Sequence, residues 1–238
     1  MNTLTNARTI AKTFAAAAVL YALTGMPVQA QQNELGWTMD SAVKQLDRQG
    51  SDMETVLAEV VIDNSGGDDS LGPVKSGRIY INSKGEWRLK SGDPADLIVL
   101  MEGRTVHYYN PTLARVDEYS LSKHPGRLEP FIPLGFSTTG KDLDRDYLVT
   151  FIGEEVNAGK RRLLGLELTP KSDDLRAVMA RMQIWVDEAS WLPARQVITY
   201  GNGQQTLTIT YSGLARNLNL NPDLFRADWP RGTQKVRK

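Results

Sequence analysis

Ser120 and Lys123 stand at the Ser-x-x-Lys spacing, in which a lysine amine can sit beside a serine nucleophile. The companion motifs of that chemistry are absent, and four residues are too short a pattern to carry it alone. Asp142, Asp144 and Asp146 alternate like the first ligands of a calcium loop. Such a loop needs glycine at its sixth position and a late glutamate, and here Tyr147 holds the sixth position. The three carboxylates therefore read as a solvated turn ahead of a strand, and Asp68-Asp69 reads the same way. His107 falls inside a strand-like stretch, His124 falls among prolines, and the chain has no cysteine. Two scattered imidazoles do not make a zinc site. There is no Gly-x-Ser-x-Gly elbow. Gly201-Asn202-Gly203 joins two strand-like segments, whereas a phosphate loop joins a strand to a helix. The expectation is a protein with no catalytic residues, no metal and no cofactor, so not an enzyme.

The first thirty residues point to where such a protein works. Arg8 and Lys12 precede an apolar run from Thr13 to Leu23, Gly25 and Pro27 break it, and Val28-Gln29-Ala30 offers small residues for cleavage. This is the layout of a secretory signal peptide, cut after Ala30, and the run is short for a spanning helix. Residues 1–30 are expected to be removed and residues 31–238 to form one exported, soluble domain. The leader holds two of the 28 basic residues and none of the 28 acidic ones, so the remainder is slightly acidic. No basic excess invites a nucleic acid, and nothing in the pattern calls for more than a monomer.

Met39, Ala42, Val43 and Leu46 recur at helical spacing and predict a helix from Met39 to Gln49. Alternation then predicts about ten antiparallel strands, with the first at Val56–Ile62 and the last at Gln205–Tyr211. Leu97–Met101 is apolar throughout and predicts a strand buried on both faces. Leu175, Val178, Met179 and Met182 predict a short helix behind Ser172. Short spacings between strands argue for one sheet, strongly curved or nearly closed. Lys123–Thr139 breaks the pattern, and helical pieces are expected between Lys123 and Asp146. The Lys123–Thr139 segment sets Leu128, Phe131, Ile132, Leu134 and Phe136 among Pro125, Pro130, Pro133, Gly126 and Gly135.

Leu97–Met101, Tyr147–Ile152 and Leu163–Leu168 are apolar on both faces. An antiparallel sheet with one wet face should be clean on that face. Such a sheet is either packed on both sides or curls around a cavity for an apolar ligand. The pattern alone leaves both open.

The chain resembles the LolA-type outer-membrane lipoprotein carriers. The stretches that carry the resemblance are Gly77-Arg78-Ile79-Tyr80-Ile81 and Trp87-Arg88-Leu89, then the run Leu97 to Pro111 with its Glu102-Gly103 turn and Tyr109-Asn110-Pro111 end. Pro130-Phe131-Ile132, Leu168-Thr169-Pro170-Lys171 and Asp223-Leu224-Phe225 with Trp229-Pro230-Arg231-Gly232 also match. The resemblance implies a mainly β (α+β) fold, an unclosed antiparallel β-barrel with an N-terminal helix and short lid helices over its mouth. It implies a place in the periplasm and a cavity that shields lipoprotein acyl chains between the inner and outer membranes. The implied partners are an inner-membrane lipoprotein-releasing transporter and an outer-membrane receptor. Carriage of other lipids and sensing of lipid or lipoprotein are alternatives on the same fold. The lipid-binding residues implied are Leu46, Ile79, Ile81, Trp87, Leu89, Ile98, Leu100, Phe131, Ile132 and Leu134. The family also implies an Arg-Pro pair after the second strand whose arginine holds the lid shut. Ser83-Lys84 stand there instead, and lysine lacks the fixed fork of donors.

Overall fold

The computed structural model describes residues 36–64, 75–92, 94–123, 134–136 and 139–238. The expected leader, Asp68-Asp69, His124, Leu128, Phe131 and Ile132 lie outside the described residues. Helix α1 (Met39–Ser51) begins at a capping box. The Thr38 hydroxyl accepts the Ser41 N–H, and the Ser41 hydroxyl accepts the Thr38 N–H. Strands β1 (Thr55–Asp63), β2 (Lys75–Asn82), β3 (Trp87–Gly92), β4 (Ala95–Glu102), β5 (Thr105–Asn110) and β6 (Arg115–Ser120) follow as a meander. After α2 (Gly140–Asp146) a second meander runs through β7 (Tyr147–Val156), β8 (Arg162–Pro170), helix α3 (Asp173–Val178), β9 (Met179–Asp187), β10 (Pro193–Tyr200) and β11 (Thr206–Arg216). A 3₁₀ turn at Pro222–Phe225 leads to β12 (Gln234–Arg237).

Among the described residues twelve strands form one sheet in the order β12-β6-β5-β4-β3-β2-β1-β11-β10-β9-β8-β7. The two meanders meet where β1 pairs antiparallel with β11, and the sheet ends at β7 on one side and β12 on the other. The protein is thus mostly β, built on an unclosed sheet with few helices. The sheet has two more strands than the ten or so expected. One of them is β12, a four-residue strand too short and too charged to show alternation. It pairs parallel with β6.

Two local expectations are corrected. Asp142–Asp146 is not a solvated turn but lies within α2. The Thr139 hydroxyl accepts the Asp142 N–H, the Asp142 carboxylate accepts the Thr139 N–H, and Arg145 bridges back to Asp142 at 3.0 Å. The helical face proposed from Leu175 to Met182 stops at Val178. Met179 and Met182 belong to β9, whose pairing with β10 overrides the helical spacing.

The convex face is covered in two places, which accounts for strands that are apolar on both sides. Over β3–β5 lies the C-terminal segment. The Arg88 guanidinium donates to the carbonyls of Leu224 and Arg226, the latter at 2.8 Å. The Glu102 carboxylate accepts the Ala227 N–H at 3.1 Å, and Trp229 stacks on Tyr109 with ring centroids 4.7 Å apart. Over β7–β10, Trp185 packs where Gly165 leaves room, and Arg195 lies 4.8 Å from the indole ring while pairing with Glu155 at 2.8 Å.

His107 is buried beneath Trp229, with Nδ1 3.6 Å from Glu118. Burial pushes its pKa below 6.5. Glu118 and Glu102 oppose the shift, and Lys235 and Arg88 add to it. The unfolded chain therefore takes up this proton first as pH falls. The stability contributed by neutral His107 is present above pH 6.5 and is lost as pH drops through the lowered folded value. Thermal melts from pH 7.5 to 5 should show a fall in Tm that His107→Gln flattens, and parallel curves for the two proteins would refute this. Trp229→Ala should cost about 2 kcal/mol in urea unfolding, because it removes stacked aromatic area from the strap. An unchanged unfolding midpoint would show that the strap adds nothing.

Candidate functional site

Side chains directly opposite each other in an antiparallel ladder share a face. By that rule Ile81, Trp87, Met101 and Val106 form one row across β2–β5, and Ile79, Leu89, Val99 and Tyr108 form the next. Both rows face the concave side and join one apolar cluster with Val56, Ala58 and Val60 of β1. Leu164, Leu166 and Leu168 of β8, Met182, Ile184 and Val186 of β9, and Leu207, Ile209 and Tyr211 of β11 complete it.

The structure brings together Ile79, Ile81, Trp87 and Leu89 of the residues expected to touch lipid, with Leu46 from α1 and Leu134 packed in the same cluster. It does not bring in Ile98 and Leu100. Those two pair with Tyr109 and His107 and point to the convex face, under the C-terminal strap. The unbroken run Leu97–Met101 hides which of its alternating sets faces inward, and the inward set is Leu97, Val99 and Met101. Phe131 and Ile132 lie outside the described residues. Gln196 is a residue that the sequence reading does not single out. Its one signal is a lone amide among the apolar residues of β10.

The concave face is covered by α1, residues 134–136 and α2. Helix α1 places Ala42 and Leu46 inward and is tied at both ends. At its start the Trp37 Nε1–H donates to Glu188 at 3.0 Å, and Trp37 packs edge-on against Trp191 at 4.8 Å. At its end Arg216 of β11 donates to the Gln49 carbonyl at 2.8 Å. Leu134 and Phe136 reach the sheet as α2 approaches, with Phe136 edge-on to Tyr211 at 4.9 Å. Gly135 between them has φ of +87°, and a Cβ there would lie 3.0 Å from Pro193, so only glycine suits the bend.

Two further polar ties act within this cover, one to the sheet and one between its helices. The Tyr211 hydroxyl donates to the Gln196 Oε1 at 2.8 Å, and the Gln196 Nε2 donates to the Leu134 carbonyl at 2.7 Å, all out of water. Burial pushes the Tyr211 pKa up, so the phenol stays a donor. At the other tie the Asp47 carboxylate of α1 accepts the Gly140 N–H at the start of α2. A Cβ on Gly140 would collide with Val43 Cγ1, so glycine is what lets the two helices meet. Among the described residues, Ser83 and Lys84 make neither of these ties. They are exposed in the β2–β3 turn, where their N–H groups donate to the Glu54 carbonyl and the Asn82 side chain. A depression of about 600 Å³ opens on the convex side near Glu59, Arg78, Tyr80 and Lys90, across the sheet from the covered face.

Gln196→Leu leaves the Leu134 carbonyl and the Tyr211 hydroxyl unpaired in an apolar setting. It should cost about 2 kcal/mol and raise the binding of an apolar fluorescent dye as the cover loosens. Equal dye binding and equal stability in the variant would show that this tie does not hold the cover.

Residues 63–228 match the family model described as outer membrane lipoprotein carrier protein LolA. A search of curated proteins by sequence gives no match. Among solved structures, an uncharacterized conserved protein from Thermus thermophilus superposes with a TM-score of 0.54 at 12% identity, covering 84% of this chain and 100% of that one. A LolA superfamily protein from Nitrosomonas europaea gives 0.42 at 14% identity, with 80% and 98% covered. The lipoprotein LppX of Mycobacterium tuberculosis gives 0.45 at 14% identity, with 77% and 100% covered. At such identities the first of these shows a shared fold.

Proposed function

The chain belongs to the LolA family of outer membrane lipoprotein carrier proteins, and from that premise we propose that it is a periplasmic carrier of lipoprotein acyl chains. The observation that carries this reading is the covered concave face. Its apolar lining is continuous across both meanders, whereas its cover is attached at a few points that can be broken one at a time. Residues 1–30 serve as the cleaved leader, and residues 31–238 act in the periplasm. The inner-membrane transporter that loads the carrier and the outer-membrane receptor that empties it are the partners this reading requires.

Magnitudes make the exchange workable. Each buried methylene contributes about 0.8 kcal/mol, so six of them contribute about 5 kcal/mol. The tie through Gln196 contributes on the order of 1–3 kcal/mol, and the Asp47 tie falls in the same range. An acyl chain that enters must displace Leu134 and Phe136 from the sheet, so its burial has to offset both the ties it breaks and the apolar contact those two side chains give up. Once the chain leaves, the cover has the same apolar surface to return to. Cargo and cover compete for one face, so neither is held irreversibly.

The test is native mass spectrometry of the protein purified without detergent from the periplasm of its own host. Lipoproteins with acyl chains bound one to one would bear out the reading. Free phospholipid would redirect it to another cargo. An empty protein that also ignores apolar dyes would defeat it. In dye titrations Trp87→Ala should weaken apolar binding at least tenfold, since the indole forms part of the proposed wall. Retained affinity in that variant would place the ligand elsewhere.

A further inference from the structure

We propose that the β3–β6 wing of the concave face holds a subsite for acyl ester carbonyls, built around a buried indole N–H that the protein itself leaves unanswered and the phenols near it. This rests on the carrier reading and adds which part of the cargo the protein recognises by polarity rather than by burial.

The Trp87 indole is 2% exposed, and its Nε1–H has no hydrogen-bond partner. A buried donor without an acceptor costs about 1–3 kcal/mol and calls for an explanation. Packing alone does not supply one, because a phenylalanine would fill similar space without the orphan group. Trp87 lies in the row Trp87–Met101–Val106–Tyr119, and Tyr108 lies in the row beside it. Tyr108 and Tyr119 meet edge to face with centroids 5.5 Å apart. Tyr200, at the end of β10 in the other meander, comes near enough that its charge would oppose ionisation of Tyr108. Burial and the two neighbouring phenols hold the Tyr108 pKa far above its ordinary value, so it remains an O–H donor at any physiological pH.

Three kinds of apolar side chain surround these donors. Leu97, Val99 and Met101 lie on β4, Val106 on β5 and Leu121 beyond β6. The matching ligand is a hydrocarbon chain ending in a group that accepts hydrogen bonds and carries no charge. A carboxylic ester fits. A free carboxylate fits poorly, because Asp117 stands directly opposite Tyr108, and its own cation, Arg115, is already engaged at 2.7 Å. An incoming anion would be repelled by that carboxylate.

The experiment is displacement of an apolar fluorescent dye by methyl laurate and by tetradecane, and the ratio of the two affinities is the readout. Wild-type protein should favour the ester. Tyr108→Phe with Tyr119→Phe keeps both rings and should reduce that ratio about fivefold, and Trp87→Phe should reduce it by a similar factor. A ratio that is the same in wild type and in all variants, with tetradecane still bound, would overturn the subsite and leave the carrier reading standing. Failure of both ligands to displace the dye would overturn both.

Discussion

An open sheet whose inner face carries one apolar cluster across both meanders cannot remain uncovered in water, and the rest of this molecule follows from that constraint. The two meanders supply the face, and α1, residues 134–136 and α2 supply its cover. The cover is held by shape and by a small number of hydrogen bonds rather than by a continuous ladder. That difference separates a core from a cover. Core strands share many backbone bonds that open together, whereas the Gln196 and Asp47 ties are isolated. The convex face solves the same problem permanently, with Trp229 stacked on Tyr109 and Arg88 holding two carbonyls of the strap.

Much of the fold is legible in the sequence because alternation is a local signal. Val56, Ala58 and Val60, or Leu164, Leu166 and Leu168, announce both the strand and its inner face. Where both faces are buried, the signal says strand without saying which side is in. That is why Ile98 and Leu100 fall on the face opposite to the expected one, since their partners Tyr109 and His107 are fixed by register and not by composition. The helix α2 falls where a helical piece is expected, but its three alternating aspartates read as a turn and hide its extent. Its cap at Thr139 depends on one hydroxyl meeting one N–H, a detail that residue types alone do not reveal.

The cover's attachment is the least legible part. Where the resemblance implies an arginine after the second strand, Ser83 and Lys84 donate to the Glu54 carbonyl and the Asn82 side chain. Among the described residues, the tie to Leu134 comes from the far meander through Gln196, with Tyr211 orienting its amide. Position in the sequence is a poor guide here, because any inward residue beneath the Leu134 carbonyl can offer a donor. What the geometry requires is one donor at that spot, satisfied on its other side. A glutamine backed by a tyrosine meets both conditions.

The joint between the meanders carries a consequence for how the chain reaches its folded form. Val56 pairs with Arg216 and Asp63 with Thr208, so the central seam of the sheet joins segments from opposite ends of the chain. Each meander can assemble from neighbours as it emerges, but the seam waits until β11 is available, and the strap and β12 come later still. Closing so long a loop is entropically costly and slow. A polypeptide threaded through a membrane from its N-terminus would thus complete its apolar face only after almost all of it had crossed. Topology alone delays the assembled state until nearly the whole chain is available to it.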